Sequence, residues 1–145
     1  MGTIRRPTWR RPAHEQRHPY PKELSMSHYV DGFVLPVPDD KLDDYLRTAR
    51  DAARVWREHG ALEVRECVAD DVSMGEVTSF PRSVQVEEGE IVVFAWILFE
   101  SREHRDRVNA EVMNDPRFKE MMSPDAMAFD GKRMIYGGFS VAVEE

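Results

Sequence analysis

Three features of the chain predict an α+β fold, an antiparallel four-stranded sheet with two helices on one face. Strand-like and helical stretches follow one another in the order β-α-β-β-α-β. The first and third strand stretches are the most apolar, as the centre of a sheet requires, while the second and fourth carry the charges of edge strands. The length, 145 residues, suits one hydrophobic core.

Residues 1–25, MGTIRRPTWRRPAHEQRHPYPKELS, contain four prolines, few aliphatic side chains and no periodicity. They are expected to form a disordered basic extension or to reflect a mis-called start, because such a composition buries too little surface to fold. No apolar segment follows the early arginines, so the stretch does not read as a secretory signal. A single domain is expected over residues 26–145.

Tyr29 to Val37 is rich in β-branched and aromatic residues and reads as the first strand. Pro38 and Asp39 then open a helix with acids in its first turn, where the helix dipole favours them. Leu42, Tyr45, Leu46, Ala49, Ala52, Ala53 and Trp56 form one apolar stripe, backed by Asp43, Asp44, Arg47, Arg50 and Arg57. Gly60 ends that helix. Leu62 to Ala69 alternates strictly and is the second strand. A turn-rich stretch with Gly75 and Pro81 follows, and VQVEEGEIVVF reads as a hairpin about Glu88-Gly89. Ile91 to Phe99 is apolar on both faces, the pattern of a strand buried on both sides. Ser101 caps a helix over residues 102–114 with His104, Val108 and Val112 inward. A short helical turn and a loop lead to a last strand over 133–143, with Gly137 and Gly138 at its centre. This succession is the ferredoxin-like split βαβ arrangement.

Charge narrows the partners. Residues 1–25 hold six Lys/Arg against two acids; residues 26–145 hold the remaining 14 basic and 25 acidic side chains, a net of −11. An acidic body lacks the cations that neutralise phosphates, which argues against nucleic acid and against an anionic membrane surface. The longest apolar run, Ile91 to Phe99, is far too short to span a bilayer. The lone Cys67 excludes an internal disulfide, suits a reducing cytoplasm, and cannot build a structural zinc site, so neither metal nor cofactor is expected.

Two helices on one face leave the other uncovered. With the helices on the side of Val30, Gly32 and Val34, the far face would present Tyr29, Asp31, Phe33 and Leu35, and Gly32 would make room for a helix. Either face is strongly apolar, and a patch that large is normally covered, so a homodimer is expected.

The stretches YVDGFVLPVP (29–38), WREHGALEVRECVADD (56–71), TSFPRSV (78–84), VVFAWI (92–97), SREHRDRVNAEVMNDPR (101–117) and FDGKRMIYGGF (129–139) resemble the YbaA-like family of uncharacterised bacterial proteins. The resemblance covers nearly all of 26–145 and leaves out 1–25. It implies a dimeric α/β-barrel of ferredoxin-like subunits with no established activity. Some members carry a label connecting them to signal recognition particle RNA, which the net −11 of this body disfavours. Barrels of this type often hold small organic molecules between sheet and helices. Some, similar to cofactor-free quinol monooxygenases and muconolactone-type isomerases, perform reactions there.

The expected function is therefore small apolar or aromatic ligand binding by a homodimer, with a cofactor-independent oxygenase- or isomerase-like activity as its catalytic form. The alternative is a non-catalytic interaction dimer with a filled interior. Asp31 is a candidate general base if burial raises its pKa; otherwise it is an exposed or Arg-paired carboxylate. His104 is a candidate acid/base or a hydrogen-bonded packing residue. Candidate ligand-binding residues are Tyr29, Asp31, Phe33, Glu66, Trp96, His104, Arg133 and Tyr136. Arg133 either holds a carboxylate or pairs with Asp130 or Asp31. His59 is assigned to the helix dipole, and Cys67 is taken as inert.

Overall fold

The computed structural model describes residues 27–145, so the expectations for residues 1–25 lie outside the described residues. Strand β1 (Tyr29–Pro38) runs through a short 3-10 turn (Asp39–Lys41) into helix α1 (Leu42–His59), followed by β2 (Glu63–Val68). A four-residue helix α2 (Phe80–Ser83) precedes β3 (Glu90–Phe99); then come α3 (Arg102–Met113), α4 (Pro116–Met121) and β4 (Ile135–Ser140). The strands form one antiparallel sheet in the order β2-β3-β1-β4, so the two most apolar strands are central. With α1 and α3 on one face, this is the ferredoxin-like arrangement.

Local chemistry sets the helix ends. Gly60 closes α1 at φ +120°, a conformation that favours glycine, and Arg57 donates to the carbonyls of Ala61 and Leu62 just beyond. The Ser101 hydroxyl accepts from the His104 N–H at the start of α3, and the Asp115 carboxylate accepts from the Arg117 N–H at the start of α4.

Two clusters form the core between sheet and helices. Tyr29, Ile97 and Phe99 pack against Val55, Val108, Val112 and Phe118, while Leu35, Val37 and Val93 pack against Tyr45 and Ala49. These contacts put Tyr29, Asp31, Phe33, Leu35 and Val37 on the helix side, which reverses the faces expected for β1. Both rows of β1 are apolar, and a period of two separates rows without ranking them. Gly32 thus lies on the open face, where an added Cβ would meet only a Phe139 ring atom, at 3.8 Å, so no helix packing requires it.

The expected hairpin about Glu88-Gly89 is a turn without a strand before it. Both edges of β3 are already taken, by β1 and by β2, and Val84 instead packs beneath α2 against Val34 and Val92. Consequently only one end of the open face of β3 is covered; Phe94 remains 41% exposed beside Phe80. The strict burial of β3 on both sides therefore does not hold within the chain. β4 is shorter than the 133–143 expected, because Arg133 is held in the preceding turn by Asp130 and Glu90. Among the described residues no helix is long and apolar enough to cross a membrane.

Candidate functional site: a cavity between sheet and helices

The helices do not close on the sheet along its whole length. A cavity of about 710 Å³ lies between them. Its floor is Asp31, Phe33 and Leu35 of β1, Ala95 and Ile97 of β3, and Val64 and Glu66 of β2. Ala49, Ala52 and Ala53 of α1 form one wall, and their small side chains keep the space open. Five methionines (113, 121, 122, 127 and 134) contribute from α3, α4 and the segment before β4. Unbranched thioethers adapt to differently shaped apolar contents. Tyr136, stacked on Phe33 with ring centroids 6.3 Å apart, stands largely exposed at the mouth.

Besides Thr48 and the exposed Lys119, two hydrogen-bonded polar groups interrupt this apolar lining. The first is built around Asp31, 8% exposed. Its Oδ2 accepts from Asn109 Nδ2 at 3.0 Å, and Asn109 Oδ1 accepts from Trp56 Nε1 at 3.0 Å. Arg105 Nε approaches Asp31 Oδ1 at 3.3 Å but makes no directed hydrogen bond, so this contact is an electrostatic one. The same guanidinium donates from Nη2 to Tyr29 OH at 3.0 Å and lies over the Tyr29 ring, 4.8 Å from its centroid. Burial pushes the Asp31 carboxyl above its ordinary range, against the Asn109 hydrogen bond and the Arg105 charge.

The second group is Glu66 and Tyr45. The Tyr45 hydroxyl donates to Glu66 Oε2 at 2.8 Å. Burial raises the Glu66 carboxyl, and burial together with the Glu66 charge raises the Tyr45 hydroxyl. Among the described residues no Lys, Arg or His forms an ion pair with Glu66.

Of the residues expected to bind a ligand, Asp31, Phe33, Glu66 and Tyr136 line this cavity, and Tyr29 supports it through Arg105. The other three lie elsewhere. Trp96 is on the open face of the sheet, with Arg65 5.7 Å over its ring. His104 accepts from the Glu100 N–H at 3.0 Å and packs on Phe99, the packing role weighed for it. Arg133 grips Glu90 with two hydrogen bonds of 2.7 and 2.6 Å and Asp130 with a third of 3.1 Å, so its partners are structural. His59 bridges Asp115 at 2.9 Å and Glu111 at 3.3 Å, linking the end of α1 to α3 and α4.

Tyr45, Arg105 and Asn109 were not singled out from sequence. Arg105, Asn109 and Met113 are spaced i, i+4, i+8 along α3 beside the inward Val108 and Val112, and that spacing is the signal that could have found them. Among the described residues no group of three or more His, Cys, Asp or Glu could hold a metal ion. The one H-E-x-x-H spacing in the chain, His14 to His18, lies outside them.

The chain is 52% identical over 117 residues to the uncharacterised protein YbaA of Escherichia coli strain K12, a match covering 81% of this chain and 98% of that protein. The YbaA of Shigella flexneri matches to the same extent. Among solved structures, a NIPSNAP family protein with unknown function from Agrobacterium tumefaciens is similar at TM-score 0.49 and 15% identity, covering 81% of this chain and 90% of that one. A family model described as a protein of unknown function, DUF1428, matches residues 28–131, and the chain belongs to that family.

Proposed function

We propose that this protein binds a small, mainly apolar organic molecule between its sheet and its helices. The observation that carries the reading is the cavity itself. At about 710 Å³ it falls within the roughly 300–1,000 Å³ of small-molecule sites, and like them it is apolar with a few placed polar groups. The alternative, an interaction protein with a filled interior, does not account for that space. In a catalytic form of the reading, Asp31 is the base, because His104 does not reach the cavity while Asp31 lines it.

The test uses N-phenyl-1-naphthylamine, a neutral probe that fluoresces in apolar surroundings. Saturable uptake is expected in the native protein, with loss of uptake in Ala49→Trp and Ala52→Trp, whose indoles fill the space. Uptake that is unsaturable, or unchanged in both folded variants, would refute the reading. A thermal-shift panel of quinols and lactones, repeated with Asp31→Asn, then separates binding from turnover.

A second copy of the chain is proposed to cover the open face. Phe94, Ile135 and Phe139 are exposed there, Phe139 to 64%. Glu63 and Arg65, of opposite sign, lie along its β2 edge, so a two-fold copy can offer each charge its complement. Sedimentation should give a dimer for the native protein and a folded monomer for Phe139→Glu; a native monomer would overturn this.

A further inference from the structure

The two carboxylates on the cavity floor are not equivalent. Asp31 has a guanidinium and an amide against it, so its surroundings are complete without any ligand. Glu66 has one partner, the Tyr45 hydroxyl on Oε2, and no cation among the described residues. Asp31 pairs across the sheet with Ile97, and Glu66 with Ala95. Two strand steps of about 4.8 Å and two residues of about 3.3 Å put their Cα atoms roughly 12 Å apart. The apolar floor between them is long enough for a fused aromatic ring system.

We infer that Glu66, held by Tyr45, is the recognition point for a protonated amine on an otherwise apolar ligand. This deepens the binding reading above and rests on it. An ionised carboxylate in an apolar cavity is costly unless a cation pairs with it. Among the described residues none supplies such a cation at Glu66, for Lys119 and Arg105 line the cavity without pairing with it, and an ammonium entering with the ligand completes the pair. The net charge of −7 favours cationic over anionic molecules on approach. Tyr45 fixes the carboxylate and donates to one oxygen, leaving the other to accept from the ligand. Burial, which already lifts the Glu66 carboxyl, adds a second consequence: the amine must displace a proton when it binds at low pH.

Three probes of one shape and different head groups test this: 2-(1-naphthyl)ethylamine, 2-(1-naphthyl)ethanol and 1-naphthylacetate, each titrated calorimetrically into the full chain. The amine is expected to bind at least about tenfold tighter than the alcohol, a modest return for a charge-assisted hydrogen bond, and the carboxylate weakest. Its affinity should rise with pH through the Glu66 titration while that of the alcohol stays flat. Glu66→Gln should bring the amine down to the level of the alcohol, and Tyr45→Phe should narrow the gap. Equal binding of amine and alcohol, or a preference that survives Glu66→Gln, would overturn the inference while leaving the cavity reading intact. Tightest binding of naphthylacetate would overturn it in favour of Arg105. Failure of all three to bind, together with failed uptake of the neutral probe, would sink both.

Discussion

Gly137 and Gly138 are neighbours on β4, yet alanine should have opposite effects at the two positions. They pair with Gly32 and Asp31 of β1, so their Cβ directions fall on opposite faces of the sheet. A Cβ on Gly138 would collide with Arg105 Nη2 and with the hydroxyl and ring of Tyr29. The arginine end could swing aside, but the Tyr29 ring is only 8% exposed and packed among Phe99 and Val108. Overpacking of this kind costs about 1–3 kcal/mol, and losing the Arg105–Tyr29 hydrogen bond about 1 more. Against that, replacing glycine in a strand gains about 0.5–1 kcal/mol. Gly138→Ala should therefore lose about 1–3 kcal/mol. At Gly137 a Cβ meets Phe139 ring atoms at 3.6 and 3.8 Å, an ordinary contact, so the gain alone remains. The two variants should differ in melting temperature by on the order of 10 °C. Urea midpoints at unchanged slope, taken at one protein concentration because Gly137 is on the proposed dimer face, measure the difference. A Gly138→Ala protein as stable as Gly137→Ala would refute the claim that close backbone approach beneath Tyr29 and Arg105 selects glycine there.

Three further outcomes follow from the charged groups. The Arg133 hydrogen bonds hold the Glu90 carboxyl below its usual range, so this pair supports the fold above the unfolded value of about 4.3 and fails as pH falls through the lower folded value. Acid titration of Glu90→Gln should show a shallower stability loss than the native chain, and an identical acid limb would count against it. Hydrogen bonding to Asp115 raises His59, whose contribution is complete below about pH 6.5 and fades as pH rises through the raised folded value. His59→Gln should flatten the stability profile in that window, and an NMR titration of the His59 ring should midpoint above that of a model peptide. Glu66 is an acid raised by burial, so ionisation costs stability as pH rises from the unfolded value through the folded one. Glu66→Gln should remove that decline and equal or exceed the native protein above neutrality; a large loss there would mean that the charge is needed for folding.

The order of elements was legible because each rests on a local signal. The stripe from Leu42 to Trp56, Gly60 after α1 and the Ser101 cap all report on the chain within one or two helical turns. What was not legible depends on distant register. Alternation sorted β1 into Val30, Gly32, Val34 and Tyr29, Asp31, Phe33, but only the docking of α1 on Leu35 and Val37 decides which row is inward. The hairpin failed for a similar reason: VQVEE has strand composition, yet β1 and β2 already occupy the edges of β3. The cavity was only half legible. Asp31, Phe33, Glu66 and Tyr136 were singled out as polar or aromatic residues on strands. Arg105 and Asn109 were missed because a helix as charged as α3 hides an inward polar pair among outward ones.

The two acids on the cavity floor also bear on why the interior is not simply filled. A buried ion pair is seldom more stable than apolar residues of the same volume, and an unpaired carboxylate is worse. Larger residues in place of Ala49 and Ala52, with a leucine at Glu66, would give a denser core and remove a titrating group. The chain instead keeps small residues opposite an acid that has no cation against it among the described residues, with Tyr45 holding that acid in place. Around Asp31 the same comparison leads elsewhere, since Arg105, Asn109, Trp56 and Tyr29 form a closed set joining β1 to α1 and α3. Asp31 is therefore tied to the architecture, whereas Glu66 has the Tyr45 hydroxyl as its one partner among the described residues, which is why the proposed amine is assigned to it.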